Sequence, residues 1–324
     1  MKKNIAIVMG GYSSEVEISL QSGAVVYKHL DKEKYTPYSV HILPNKWVVV
    51  TEGVEYTIDK NDFSFTKENT KITFDCVFNA IHGAPGENGS LLAYFDLIHM
   101  KHTSAPFYQM ALTFNKRDTL SVVKQYGIPT ATSVYFNKGD HFSVEEIINK
   151  VGLPCFVKPN NAGSSFGISK VYTKEEMIPA IEKAYKEDTE ILIESFLDGT
   201  EVSVGVIQYK GETTVLPITE IVSDNDFFDY EAKYLGKSQE ITPARLTQQQ
   251  EQRVKEVAQK VYEVLNMSGF SRSEYILVNE EPHFLEMNTV PGMTEASILP
   301  QQANEFGITL AQLFENAIEE ALKK

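Results

Sequence analysis

Cysteine is scarce: Cys76 and Cys155 are the only two in 324 residues. Each lies in an apolar run that reads as a strand, Phe74 to Ala80 and Pro154 to Lys158. The pattern reads as two buried, reduced thiols, speaks against a disulfide framework or a zinc site, and fits a cytoplasmic setting. Long apolar runs are missing too. Nothing approaches the length of a membrane span, and Ile5 to Met9 behind Lys2 and Lys3 is too short for a signal peptide. Positive charge is in deficit, with 30 Lys and Arg against 44 Asp and Glu and a formal net charge of −14. A field of that sign repels nucleic-acid phosphates, so nucleic-acid partners are disfavoured. It also repels small phosphorylated ligands, so any phosphate site needs a few cations placed locally. What remains is an ordinary globular composition, 42 % hydrophobic and 23 % charged, in a chain long enough for two or three subdomains.

Ile5 to Met9 reads as a strand, Gly10 to Glu15 as a turn, and Val16, Leu20, Ala24, Tyr27 and Leu30 recur at helical spacing. Tyr38 to Leu43 and Asp75 to Ile81 follow as strands, an alternation that predicts an open α/β sheet with its loops at one edge. A boundary falls near Pro106. Lys116 to Tyr126 reads as a helix stopped by Gly127 and Pro129. Capping patterns start helices at Ser143, Thr173, Thr247 and Thr309, and strands are expected at Pro154 to Lys158, Ile168 to Tyr172, Ile191 to Phe196, Glu201 to Gln208 and Thr213 to Val222.

Chemistry concentrates near the end of the chain. Ser271 to Val278 and His283 to Asn288 flank a polar turn and read as a hairpin. Arg272 and Glu274 share one face of their strand, as do Glu286 and Asn288. If Val278 faces Pro282 across the turn, Glu274 lies opposite Glu286 and Arg272 opposite Asn288. Two like charges so close call for a cation between them. The oxygens of Glu274, Glu286 and Asn288 suit one or two Mg²⁺ ions bridging nucleotide phosphates. A solvated face with Arg272 pairing either glutamate is an equally simple reading of the pattern alone. Gly292 after Pro291 can offer a bare N–H to a developing oxyanion, or close an ordinary turn.

Lys158 precedes the small-residue loop Pro159 to Gly167, where bare backbone and the hydroxyls of Ser164 and Ser165 can approach phosphate. A flexible hairpin tip has the same composition, and no Walker pattern is present. Glu194 and Glu201 flank a strand end that can border a base and a ribose, or can be surface glutamates at a turn.

Taken together these segments resemble the D-alanine–D-alanine ligase family of the ATP-grasp superfamily, nearly end to end. The resemblance rests on Met9-Gly10-Gly11 with Ser14-Glu15, His82-Gly83, Val157-Lys158-Pro159 and Gly163-Ser164-Ser165. It continues through Leu192-Ile193-Glu194, Tyr230-Glu231-Ala232-Lys233-Tyr234, Leu285 to Thr289 and Pro291 to Thr294. It implies an α/β ATP-grasp fold in three subdomains: an N-terminal open α/β sheet over 1–104, a central α+β subdomain over 105–194 and a C-terminal α+β subdomain over 195–324. ATP is held between the last two. It further implies ATP and Mg²⁺ or Mn²⁺, two ions, as cofactors, D-alanine as substrate, a cytoplasmic homodimer, no membrane, and a role in peptidoglycan precursor synthesis. Lys116 and Lys158 would hold phosphates with Ser165, Glu194 and Leu197 would border adenine, Glu201 the ribose, and Glu274, Glu286 and Asn288 the metal. Glu15 would pair with the first substrate's ammonium and bond toward Ser164 and Tyr234, with His82 nearby. Arg272 and the Gly292 N–H would stabilise the oxyanion, Ser297 beside Ile298 would contact the second substrate, and Lys233 would help close a loop over the site. Tyr234 resembles the dipeptide-forming members rather than those that make D-alanyl-D-lactate.

The sequence departs from the family at two places. The family usually has Asp where Glu274 stands, and Glu295-Ala296 before Ser297 is an unfamiliar pair. Gly10-Gly11 also evokes a dinucleotide-binding dehydrogenase, but the third glycine of that fingerprint is missing. An inactive nucleotide-binding module would have no need of Arg272 and Gly292.

Overall fold

The computed structural model describes residues 2–161, 163, 166–223 and 238–323. Its first unit is built on β1 (Lys3–Gly10), buried over most of its length because it lies inside a sheet. There follow α1 (Val16–His29), β2 (Tyr35–Leu43), β3 (Lys46–Thr51), β4 (Val54–Thr57), β5 (Phe65–Lys67), β6 (Thr70–Ile72) and β7 (Cys76–Asn79). The sheet order is β4-β3-β2-β1-β7, with β1 parallel to both β2 and β7, and β3 and β4 antiparallel. β5 and β6 form a separate hairpin. The apolar spacing in α1 marks the inward face only in part: Leu30 is buried and Leu20 packs on the core. Ala24 is exposed and Tyr27 is 37 % exposed, while Ser19, Ser22, Gly23 and Val26 are buried. Small residues face inward because the helix lies close on β1: a Cβ on Gly23 would meet Met9 at 2.6 Å.

α2 (Ser90–Leu97), α3 (Phe107–Phe114) and α4 (Lys116–Gln125) come next. The second sheet then forms from β8 (Ser133–Asn137), β9 (Cys155–Pro159), β10 (Ser169–Val171) and β11 (Glu190–Ser195), all antiparallel in the order β10-β9-β11-β8. α5 (Val144–Val151) and α6 (Lys174–Ala184) cover it through Ile147, Met177 and Ile181 packed with Val157, Ile191 and Ile193. Ser143 Oγ accepts the Glu146 N–H, as its capping pattern predicts.

The third unit holds β12 (Thr200–Tyr209), β13 (Glu212–Val215), β14 (Thr219–Ser223), β15 (Ser238–Ile241), α7 (Gln248–Val264), β16 (Phe270–Val278), β17 (Glu281–Asn288), α8 (Ile298–Glu305) and α9 (Leu310–Lys323). Its antiparallel sheet runs β15-β14-β12-β16-β17, with β13 also on β12. Two packings tie the units together. α3 and α4 place Met110, Leu120 and Val123 in one core with Tyr275, Phe284 and Met287. α9 places Phe314 and Ile318 between Ile5 and Phe78 of the first sheet and Phe270 of the third. Among the described residues no helix is long and apolar enough to cross a membrane.

Among the described residues, four hairpins turn on two residues that both have positive φ: Glu52-Gly53, Glu68-Asn69, Lys210-Gly211 and Asn279-Glu280. Such turns match the twist of the strands but strain a side-chain-bearing residue. Glu280 sits at φ 69° where glycine is favoured. Glu280→Gly is therefore expected to stabilise the chain by about 1 kcal/mol, read from the midpoint of denaturant unfolding; a loss of stability would show that the turn is not strained there.

Candidate active site

The β16–β17 hairpin brings Arg272 opposite Asn288 and Glu274 opposite Glu286, as the sequence predicts, but by a different route. The turn pairs Val278 with Glu281 rather than Pro282, one residue out of step, and a bulge between Glu274/Tyr275 and their partners restores the register. The extra residue is Leu285. Leu285 and Glu286 both line the cavity beside the sheet, so the bulge aims two successive side chains at one space.

Three cations answer the carboxylates here. Arg272 Nη1 lies 2.6 Å from Glu274 Oε1, Lys116 Nζ 3.0 Å from Glu286 Oε2, and Lys158 Nζ 2.9 Å from Glu194 Oε2. Burial pulls the Arg272 and Lys158 pKa values down, yet the facing carboxylates, Glu274 and Glu194 foremost, outweigh it and the net shift of each is upward. Both stay charged. Lys116 opens α4, seated by Asn160, whose Oδ1 accepts the Arg117 N–H at 2.9 Å while its Nδ2 donates to Glu190 at 2.7 Å.

Two cavities meet at the Lys116–Glu286 pair. The one between the second and third sheets, about 420 Å³, is lined by Phe156, Lys158, Glu194, Leu197, Glu201 and Leu285 among others. Glu194 is 3 % exposed, and its Oε1 is buried with no partner among the described residues. A buried acceptor beside aromatic and apolar walls suits the amino group of a base. Lys170, which the sequence reading overlooked, also lines this space, its Nζ 4.3 Å from the Phe196 ring centre.

The other cavity, about 370 Å³, is lined by Glu15, His82, Glu87, Arg272, Gly292, Ser297 and Ile298 among others. A Cβ on Gly292 would meet Ser297 Oγ at 2.6 Å, so only glycine leaves both groups in place. Ser297 Oγ also lies 2.8 Å from Thr294 Oγ1. Glu15 lies against Gly163, its Oε2 2.9 Å from where a Cβ on that glycine would sit. His82 is buried and contacts Ser22 Oγ at 3.1 Å through Nε2. Burial lowers its pKa against the pull of Glu15, which keeps the imidazole neutral near pH 7.

Glu87 is the residue that sequence reasoning missed. Its carboxylate accepts the Gly83 N–H at 2.6 Å and the Val290 N–H at 3.2 Å, while His82 bonds the Val290 backbone as well. The N-terminal unit thus grips the loop after β17 at Val290, and again where the Met293 N–H donates to Ser22 Oγ at 3.2 Å. The proximity of Glu87 to His82-Gly83 in sequence was the available signal. Burial first, then Glu15, pushes the Glu87 carboxyl from 4.5 up to about 7. Between those values the folded chain keeps a proton that the unfolded chain has released. Stability therefore falls as pH rises through that window, and the loss is complete above it. Relative to Glu87→Gln, the native chain should lose about 3 kcal/mol from pH 4.5 to 7.5, measured by urea unfolding across pH. Parallel curves would show that Glu87 does not hold that proton.

Of the sequence-predicted site residues, Lys116, Lys158, Glu194, Leu197, Glu201, Glu274 and Glu286 face the first cavity, and Glu15, His82, Arg272, Gly292, Ser297, Ile298 and Asn288 line the second, with Lys116 and Glu286 common to both. Ser164, Ser165, Lys233 and Tyr234 lie outside the described residues. Among the described residues no three His, Cys, Asp or Glu side chains converge as a metal cage. Two carboxylates and an amide fit instead a hard cation completed by phosphate oxygens and water.

Residues 4–105 match the family described as the D-ala D-ala ligase N-terminus, and residues 122–319 match the D-ala D-ala ligase C-terminus. A D-alanine–D-alanine ligase of Flavobacterium johnsoniae is 66 % identical over 321 residues, 99 % of each chain. The solved VanG D-Ala:D-Ser ligase of Enterococcus faecalis superimposes with a TM-score of 0.87 at 30 % identity, covering 99 % of this chain and 100 % of its own. The D-alanine–D-alanine ligase of Bacillus anthracis complexed with ATP gives 0.80 at 26 % identity, over 99 % of this chain and 98 % of that one.

Proposed function

This chain belongs to the D-alanine–D-alanine ligase family, and on that premise we propose how its two cavities divide the work. It is an ATP-dependent ligase of ATP-grasp fold that joins two D-alanine molecules through a D-alanyl phosphate, supplying peptidoglycan precursor synthesis. The observation that carries the reading of the site is the junction of the cavities at Lys116 and Glu286. A γ-phosphate delivered from one side meets a carboxylate bound on the other.

Glu194, Leu197 and Glu201 border adenine and ribose, while Lys116 and Lys158, with Ser165, hold phosphates and Lys233 helps close a loop over them. Glu274, Glu286 and Asn288 would hold Mg²⁺ or Mn²⁺, two ions, which neutralise phosphate charge when bound. Glu274 is one methylene longer than the family's usual Asp and sits against Arg272. Glu15 takes the ammonium of the first D-alanine, with Ser164 and Tyr234 in its bonding chain and His82 beside it. The first carboxylate then attacks the γ-phosphorus and ADP leaves. The amine of the second D-alanine, its carboxylate at Ser297 and Ile298, attacks the acyl carbon. Arg272 and the Gly292 N–H meet the oxyanion, and phosphate departs. Neutral His82 adds no positive charge that would compete for Glu15. The chain works in the cytoplasm as a homodimer.

Doubly ¹⁸O-labelled D-alanine tests the route. For each dipeptide made, one labelled oxygen should appear in the released phosphate and three should stay in the dipeptide, one in the peptide carbonyl and two in the terminal carboxylate. Unlabelled phosphate would rule out the acyl phosphate. D-Serine or D-lactate offered as the second substrate should compete poorly; equal incorporation of D-serine would place the chain nearer to the D-Ala:D-Ser ligase it resembles in fold, and of D-lactate nearer to the ester-forming members.

A further inference from the structure

Gln302 lies on α8 one turn beyond Ile298, lines neither cavity and is fully buried. Every polar hydrogen of its amide is used: Nε2 donates to Ser203 O at 2.8 Å and to Thr219 Oγ1 at 3.0 Å. Its Oε1 accepts the Gly205 N–H at 3.0 Å. The fit leaves no slack, since a Cβ on Gly205 would meet Gln302 Oε1 at 2.7 Å. Ser203 is held from its other side by Arg272, whose Nη1 donates to Ser203 Oγ at 2.9 Å. One residue of β12 is therefore the common anchor for the oxyanion cation and for the helix whose first residues, Ile298 and Leu299 behind Ser297, line the substrate cavity. Leu299 and Ala303 also bury α8 in an apolar core. Apolar contacts are not directional and tolerate rotation or sliding of the helix, whereas three hydrogen bonds to one sheet fix both.

We infer that Gln302 is a positioning residue that holds the amino end of α8 at its working distance from Arg272 and so sets binding of the second amino acid. The inference rests on the two-cavity reading above. Displacing α8 moves Ser297 and Ile298 but leaves Glu15 and the nucleotide cavity where they are. Removing the amide should therefore weaken the second substrate site selectively.

The test uses the full chain with ATP and Mg²⁺ and resolves the two Michaelis constants for D-alanine from phosphate release against D-alanine concentration. Gln302→Met keeps the volume and loses the bonds. It should raise the second constant about tenfold and leave the first within about twofold. Gly205→Ala, which pushes Gln302 without deleting it, should act in the same direction, and serves if Gln302→Met does not fold. Asn316→Leu is the control. Asn316 bridges α9 to β12 in the same way, accepting the Lys210 N–H at 2.9 Å and donating to Gln208 O at 2.7 Å, but lines neither cavity. It should lower Tm comparably and change neither constant. Equal loss of Tm with an unchanged second constant, or a parallel rise of both constants, would overturn the inference. No D-alanine-dependent phosphate release from the unaltered chain would instead overturn the underlying reading.

Discussion

Arg272→Met is expected to lower kcat for dipeptide formation by about a thousandfold while leaving the Michaelis constant for ATP within a few-fold. The side chain is only 14 % exposed, lies 2.6 Å from Glu274 and 2.9 Å from Ser203, and lines the substrate cavity beside Gly292. Its charge is already desolvated and fixed, so it meets an oxyanion without reorganising, which is where such a donor acts most strongly. Its loss also leaves Glu274 and Glu286 facing each other across the hairpin with one cation fewer. Arg272→Lys keeps charge but not the planar guanidinium whose Nη1 reaches Ser203 and Glu274 together, and should recover only part of the rate. Steady-state kinetics at saturating D-alanine decides it. A kcat within tenfold of the unaltered chain would remove Arg272 from the oxyanion role.

Glu286→Gln should cost at least about a hundredfold in kcat and raise the Mg²⁺ concentration needed for half-maximal rate by about tenfold. Among the described residues, Glu286 is the one carboxylate that lines both cavities, and it pairs with Lys116. The amide is a weaker ligand for a hard cation and removes the charge of Glu286 from beside Lys116. Mn²⁺ binding in the presence of ADP, followed by electron paramagnetic resonance, separates a metal defect from a general loss of activity: fewer bound ions per chain are expected. Unchanged Mn²⁺ stoichiometry and affinity would show that Glu286 serves Lys116 alone.

Short-range pattern made the chemistry of the hairpin legible. Side chains two apart share a face, so spacing alone groups Arg272 with Glu274 and Glu286 with Asn288. The turn could not be read so well. The expected pairing of Val278 with Pro282 gave the right partners only because the bulge at Leu285 corrects a turn that is one residue tighter. Bulges leave little trace in composition, since any side chain can occupy them. The strands β3 to β6 escaped because they are short and their turns carry Glu and Asn as well as Gly. The buried small residues of α1 went unread because close packing on β1 selects Ser and Gly over larger apolar residues. Gln302 was invisible for a related reason: its partners are mostly backbone groups from distant segments, which no side-chain pattern announces, while Glu87 left only its nearness to His82-Gly83 as a signal. Ser164, Ser165, Lys233 and Tyr234 lie outside the described residues, so their roles rest on family resemblance.

The most direct test of the whole account is phosphate release from ATP and Mg²⁺ with D-alanine, with L-alanine and with no amino acid, the products identified by mass. Release that requires D-alanine and yields D-alanyl-D-alanine in step with phosphate is the predicted result. ATP binding without phosphate release on D-alanine, or release that is indifferent to the amino acid, would contradict it.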